Sequence, residues 1–162
     1  MKISYNKLLK FTSNFLTQAG VNKHFSIVIS KKLIKSDMSG HHSHGIIRLI
    51  QYFDGIKKKI IKPNQIPTIS TRGNFNIINS KRCFGQIAMD FAIKEIISKK
   101  KDISITAVNN CSHIGRLSDY LEELSDKGYI SIIFCNGGGP NSAIFPSAKR
   151  ICGTNPFGFG MP

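Results

Sequence analysis

Pro63 and Pro67 set the first limit on how this chain can fold. Proline has no backbone N–H and disfavours a helical conformation at the residue before it, so no regular helix passes through this region. The two prolines bracket an extended linker, and the residue pattern differs on either side.

Upstream, apolar residues recur at helical spacing. Leu8, Leu9, Phe15 and Leu16 predict a helix over 4–18, with Ser4 able to cap its start and Gly20 able to end it. Phe25, Val28, Ile29, Leu33 and Ile34 predict a second over 22–38, and Gly40 suits a left-handed residue beyond its end. A third is expected from Ser43, with Ile46, Ile50 and Phe53 facing inward and Arg48 off that stripe. It ends at Gly55 and the run Lys57-Lys58-Lys59, whose charge complements a helix C-terminus. Past the linker, residues 68–72 and 75–78 read as short strands around the turn Gly73-Asn74.

After Asn79 the pattern changes. A helix is predicted over 84–100, a buried strand over 103–108, a helix over 114–127 stopped by Gly128, and a buried strand over 129–134. Helix, strand, helix, strand with short connections defines an α/β class. The expected organisation is an N-terminal helical lobe with a hairpin, residues 1–78, followed by part of an α/β lobe, residues 79–162.

Composition narrows the class. Hydrophobic content of 41% and charged content of 20% in 162 residues are globular values and argue against disorder. A net charge of +14 raises nucleic acid, anionic membrane or anionic small molecules as partners. The lysines are spread among isoleucines and asparagines along the whole chain, so neither a nucleic-acid nor a membrane partner is expected. No stretch reaches the length of a membrane span, and residues 1–20 carry no signal-peptide core. Cys83, Cys111, Cys135 and Cys152 lack the two-residue spacing of zinc or redox motifs; reduced, buried thiols in a cytoplasmic protein are expected. Tyr120, Phe134 and Phe145 are expected in the core, and His24 on a solvent-facing helix side.

The chemistry concentrates in His41-His42-Ser43-His44-Gly45-Ile46-Ile47-Arg48, which holds three of the five histidines. If a helix begins at Ser43, His44 and Arg48 project from one face, one turn apart. A group that exchanges protons near neutral pH then stands beside a permanent cation able to clamp a carboxylate. That is the shape of a site for a small acid. The plainer reading is a polar helix start with a surface arginine. A metal site is not expected, because adjacent histidines cannot all point at one ion and no cysteine or carboxylate stands at ligand spacing.

Two loops follow strand ends. Asn109-Asn110-Cys111-Ser112-His113-Ile114-Gly115 leads towards a helix N-terminus that could receive an anion. Asn136-Gly137-Gly138-Gly139-Pro140 permits close backbone approach to phosphate or ribose, as would any flexible turn. It is not the dinucleotide fingerprint of Rossmann proteins. The chain closes on the apolar, glycine-rich segment 153–162, which suggests a longer parent.

Four stretches together resemble the N-terminal part of a known family. Residues 36–49, Ser-Asp-Met-Ser-Gly-His-His-Ser-His-Gly-Ile-Ile-Arg-Leu, resemble its signature A-D-x-x-G-x-x-S-H-G-x-x-R-L. Phe84-Gly85-Gln86 resembles L-G-Q, Asn110-Cys111-Ser112-His113-Ile114-Gly115 resembles N-S-N-H-F-G, and Gly153-Thr154-Asn155-Pro156 resembles G-T-N-P. The order and spacing agree with the malate/L-lactate dehydrogenase family that is unrelated to the Rossmann-type dehydrogenases. That family includes ureidoglycolate dehydrogenase, sulfolactate dehydrogenase and the piperideine-2-carboxylate reductases.

The resemblance implies a non-Rossmann cofactor-binding lobe and hydride transfer between NAD or NADP and a small 2-oxo or 2-hydroxy acid. It implies that Arg48 binds the substrate carboxylate, that Ser43 partners His44, and that either His44 or His113 is the acid/base. Thr154 matches a threonine near substrate and nicotinamide. His113, Ile114, Gly115, Arg116 and Leu117, with Asn136 and Gly137, match cofactor-contacting stretches. A homodimer is implied for a full-length protein.

Three departures stand out. Cys135-Asn136-Gly137 replaces the common T-N-S and lacks a hydroxyl, Arg116 stands where a small residue is usual, and family members are about twice as long. The second reading is therefore an inactive remnant or interaction module of the same family.

Overall fold

The computed structural model describes residues 3–162. The chain forms two compact units, Met1–Arg116 and Leu117–Pro162.

The first unit opens with three helices, α1 (Tyr5–Gln18), α2 (Lys23–Met38) and α3 (Arg48–Lys57). Asn22 starts α2 by accepting the backbone N–H of Phe25 at 2.9 Å, which satisfies one of the helix's orphan donors. Ser4 precedes α1 but makes no such side-chain bond. The hairpin follows as β1 (Thr68–Arg72) and β2 (Phe75–Asn79). Helix α4 (Gly85–Lys99) then crosses to β3 (Ile105–Asn109). β2 pairs antiparallel with β1 and parallel with β3, with Ile78 opposite Val108.

That parallel pairing moves the predicted lobe boundary. The sequence reading divides the chain at 78/79, but a sheet ladder joins residues on both sides, so hairpin, α4 and β3 belong with the helices. The core of this unit gathers Leu16, Ile29, Leu33, Leu49, Tyr52, Cys83, Phe84 and Ile87 from α1 to α4.

The second unit holds α5 (Ser118–Ser125), β4 (Ser131–Phe134), β5 (Ser142–Ala143), β6 (Arg150–Cys152) and β7 (Phe157–Gly160). β4 pairs antiparallel with β7, and β5 with β6. Among the described residues neither unit contains a doubly wound parallel sheet. The architecture is α/β and non-Rossmann, as the sequence reading expects.

Several local expectations are corrected. The α3 stripe is Leu49 and Tyr52, not Ile50 and Phe53; Ile50 is 70% exposed. The helix begins at Arg48 instead of Ser43. The fifth helix starts at Ser118, four residues after the predicted Ile114. Strands β3 and β4 alternate between half-buried and exposed residues instead of being buried throughout, because strand side chains point to opposite faces in turn. Tyr120 is buried as expected, but Phe134 and Phe145 are exposed, at 79% and 95%. Only Cys83 of the four cysteines is buried; the others are half-buried. His24 is exposed, as expected. No helix among the described residues is long and apolar enough to cross a membrane.

Candidate active site

The histidine-rich stretch does not form the start of α3. His42–His44 make a single turn of 3-10 helix, and Gly45 breaks it before α3 begins. Asp37, near the end of α2, holds this turn in place. Its Oδ2 accepts the backbone N–H of Ile46 at 2.8 Å, and its Oδ1 lies 3.0 Å from His42 Nδ1. A methyl group on Gly45 would overlap the Asp37 carboxylate, so a side chain here has to displace that carboxylate from its bonds to Ile46 and His42.

Side-chain bonds, not a shared helix face, bring Ser43, His44 and Arg48 together. Ser43 Oγ lies 3.0 Å from His44 Nδ1. The Arg48 side chain turns back so that Nε donates to the Ser43 carbonyl oxygen at 2.6 Å, while Nη1 donates to Gln51 Oε1 at 2.7 Å. Nη2 has no partner and no carboxylate pairs with Arg48 among the described residues. A half-buried cation is thus fixed in direction but not neutralised.

His113 reaches the same place from the loop after β3. The His44 and His113 rings lie 5.2 Å apart, centroid to centroid. The loop is anchored at the start of α4: Ser112 N donates to the Cys83 carbonyl oxygen at 3.2 Å, and Gly85 N donates to Ser112 Oγ at 3.2 Å. A methyl group on Gly85 would stand 2.5 Å from the carbonyl oxygens of both Ser112 and His113. Phe84-Gly85-Gln86 is therefore the seat of the His113 loop, and three of the resembling stretches converge within the first unit.

Two residues at this centre escape sequence reasoning. Tyr52, fully buried on α3, places its hydroxyl 3.0 Å from His113 Nδ1. Gln86, fully buried on α4, donates from Nε2 to the same hydroxyl. The signal for Gln86 lay in the quoted Phe84-Gly85-Gln86 stretch; for Tyr52 there was none, since an aromatic on an apolar helix face reads as core.

The electrostatics follow from burial and from Arg48. Burial first, then the Arg48 cation and His44, push His113 down to about 4. His44 is lowered by the same two leading causes, with His41 adding to them. Burial pushes the Tyr52 phenol up to about 12. At neutral pH the site holds two neutral imidazoles, a neutral phenol and one uncompensated cation. His41 and His42 are exposed, and among the described residues no cluster of three or more metal-ligating side chains occurs.

The other predicted residues divide between the units. Ile114, Gly115 and Arg116 continue the half-buried loop beyond His113, and Gly115 takes a left-handed φ of 85°. They do not lead directly into a helix, and the first turn of α5 carries Asp119, which disfavours an anion there. In the second unit Gly137, the residue after Asn136, lies against Thr154 beyond the end of the β4–β7 pair. Gly137 N donates to Asn155 Oδ1 at 3.0 Å, and a methyl group on Gly137 would stand 2.8 Å from Thr154 Oγ1. Gly138, next along, has open space around its Cα. The segment is thus packed closely at Gly137 and open at Gly138. Leu117 opens the second unit as the residue before α5.

Fold and site together define a class: a non-Rossmann α/β protein in which paired neutral histidines flank an unneutralised arginine. A family model described as malate/L-lactate dehydrogenase matches residues 3–162, and the chain belongs to that family. It is 31% identical over 165 residues to a malate dehydrogenase of Pyrococcus abyssi, covering 100% of this chain and 45% of that protein. It is 28% identical over 167 residues to an NAD(+) ureidoglycolate dehydrogenase of Escherichia coli, covering 100% of this chain and 47% of that protein. The solved malate dehydrogenase of Pyrococcus horikoshii superposes with a TM-score of 0.89 at 28% identity, over 100% of this chain and 47% of that one. The chain spans about half the length of the curated relatives it matches.

Proposed function

We propose that this chain carries the acid-binding half of an oxidoreductase that interconverts a small 2-oxo acid and its 2-hydroxy acid. The observation that carries this reading is Arg48, a half-buried cation with no carboxylate partner among the described residues, beside two neutral histidines.

Arg48 binds the substrate carboxylate through the Nη end of its guanidinium, which leaves its Nε bond to Ser43 intact. The bound carboxylate also offsets the Arg48 charge, which after burial is the second cause of the lowered proton affinity of both histidines. Both proton affinities then rise, and a histidine closer to its ordinary range exchanges protons more readily at neutral pH. Ser43 orients the His44 ring. A nicotinamide cofactor, NAD or NADP, supplies or accepts the hydride at C2 when bound. Residues 113–117 match the family's cofactor-contacting loop, and in the second unit Asn136 and Gly137 match another such stretch while Thr154 matches a substrate-side threonine. During reduction the carbonyl electron pair moves onto oxygen, and that oxygen takes a proton from His44 or His113. Oxidation returns the proton to the same group. In this reading the full-length protein is a homodimer.

The test is direct. The chain is mixed with reduced nicotinamide cofactors and a panel of small 2-oxo acids, following nicotinamide fluorescence for binding and absorbance for turnover. Turnover that disappears in Arg48→Ala supports the reading. Absence of both cofactor binding and turnover would instead favour an inactive interaction module.

A further inference from the structure

We infer that Tyr52 and Gln86 hold His113 as the tautomer protonated on Nε2, so that His113 donates a hydrogen bond to the substrate oxygen and leaves proton exchange to His44. The assignment to substrate rests on the proposed function; the tautomer does not.

The argument follows the direction of the hydrogen bonds. Gln86 Nε2 carries only protons, so it must donate, and the Tyr52 oxygen accepts. The Tyr52 hydroxyl then has one proton left to place. Its other neighbour in hydrogen-bond range is His113 Nδ1, at 3.0 Å. The phenol therefore donates, and Nδ1 must present its lone pair. In a neutral imidazole the proton then sits on Nε2.

Burial makes this chain binding. Tyr52 and Gln86 are both fully buried, so neither can exchange its partner for bulk water. If Nδ1 carried a proton, it would face the Tyr52 O–H proton, which has no other acceptor among the described residues. The opposite arrangement requires the Gln86 amide to turn, offering Oε1 to the phenol. Oε1 has no partner in the present arrangement, and the turn would leave the Nε2 hydrogens unbonded in its place.

The same chain disfavours the doubly protonated imidazolium, since that also requires a proton on Nδ1. Burial opposes the charged ring too, and Arg48 and His44 add like-sign repulsion. His44 is differently placed: its Nδ1 faces the hydroxyl of exposed Ser43, which can donate or accept. His44 can therefore change protonation without stranding a buried donor. Tyr52 and Gln86 are positioning residues acting through His113.

The test is nitrogen NMR on the whole chain with labelled histidine, assigning His113 by its loss in His113→Gln. Long-range proton–nitrogen correlations separate a pyridine-type nitrogen from a pyrrole-type one. The expected result near neutral pH is a pyridine-type Nδ1 and a pyrrole-type Nε2, with a preference of roughly tenfold, as one well-made hydrogen bond gives. A pyrrole-type Nδ1 in the unmodified chain overturns the inference without any variant. Tyr52→Phe and Gln86→Met should each bring the two tautomers towards equal population; an unchanged tautomer in either folded variant also overturns it. The expected tautomer in a chain that shows no turnover would count against the proposed function and leave this inference standing.

Discussion

Tyr52 Oη and His113 Nδ1 lie 3.0 Å apart although 61 positions separate the residues in the chain. The bond ties the middle of α3 to the loop after β3, and so ties the helix that carries Arg48 to the second histidine. It can form only because the His113 loop lies directly against the first residue of α4.

That contact gives the first prediction. Gly85→Ala places a methyl group against two backbone carbonyl oxygens, and backbone cannot move aside as a flexible side chain can. Overpacking of this kind costs about 1–3 kcal/mol. Urea unfolding of the variant should show a loss in that range. The His113 NMR signals should shift, while those of exposed His24 stay in place.

Arg48→Ala should act on both histidines without touching either. The cation is the second cause of the lowered proton affinity at His44 and at His113. Its removal should raise both titration midpoints, with His113 moving up from about 4. Arg48→Lys keeps the charge, so the midpoints should stay low, yet it loses the planar fork. In turnover assays both variants should weaken acid binding, but only Arg48→Ala should also displace the pH profile. Histidine titration by NMR checks the first part.

Much of this fold is legible in sequence because its causes are local. The apolar period of Phe25 to Ile34 and the glycine at position 40 define α2, and Gly73-Asn74 between short strands defines the hairpin. The start of α3 is not legible, because its cause lies elsewhere: Asp37 takes the Ile46 N–H and leaves Gly45 no room for a side chain. Ser43, His44 and Arg48 were found as a group, but their closeness comes from the Arg48 bond to the Ser43 carbonyl and not from a shared helix face. The isoleucines of β3 and β4 read as buried runs, yet alternate residues of both strands are exposed. Tyr52 was invisible because a fully buried tyrosine and a buried phenylalanine make the same apolar pattern.

Asp37 supplies the next prediction, since it holds the turn that carries Ser43 and His44. Asp37→Ala leaves the partly buried Ile46 N–H without its acceptor, which costs about 1–3 kcal/mol. Asp37→Asn retains one carbonyl acceptor and should cost less. Gly45→Ala should be damaging alone because of the same carboxylate. In an Asp37→Ala background the added methyl group meets less obstruction, so the two losses should fall short of additive. Urea unfolding of the two single variants and the double variant measures this coupling, and strict additivity would count against the contact.

His113 also makes stability depend on pH, in a direction its environment fixes. Its folded-state value, about 4, lies below the ordinary value of 6.5. On acidification the unfolded chain therefore takes up a proton before the folded chain does. This contribution is fully present above about 6.5 and is lost as pH falls towards about 4. The slope in that window is at most about 1.4 kcal/mol per pH unit for one such group. His44 is lowered too and adds in the same direction. Unfolding by urea at pH 7 and pH 5 should show the chain losing stability on acidification. His113→Gln should lose less over the same interval, because its amide takes up no proton in either state. An equal loss in both proteins would show that His113 titrates alike folded and unfolded, and that burial by Tyr52, Gln86 and the Gly85 seat does not hold it neutral.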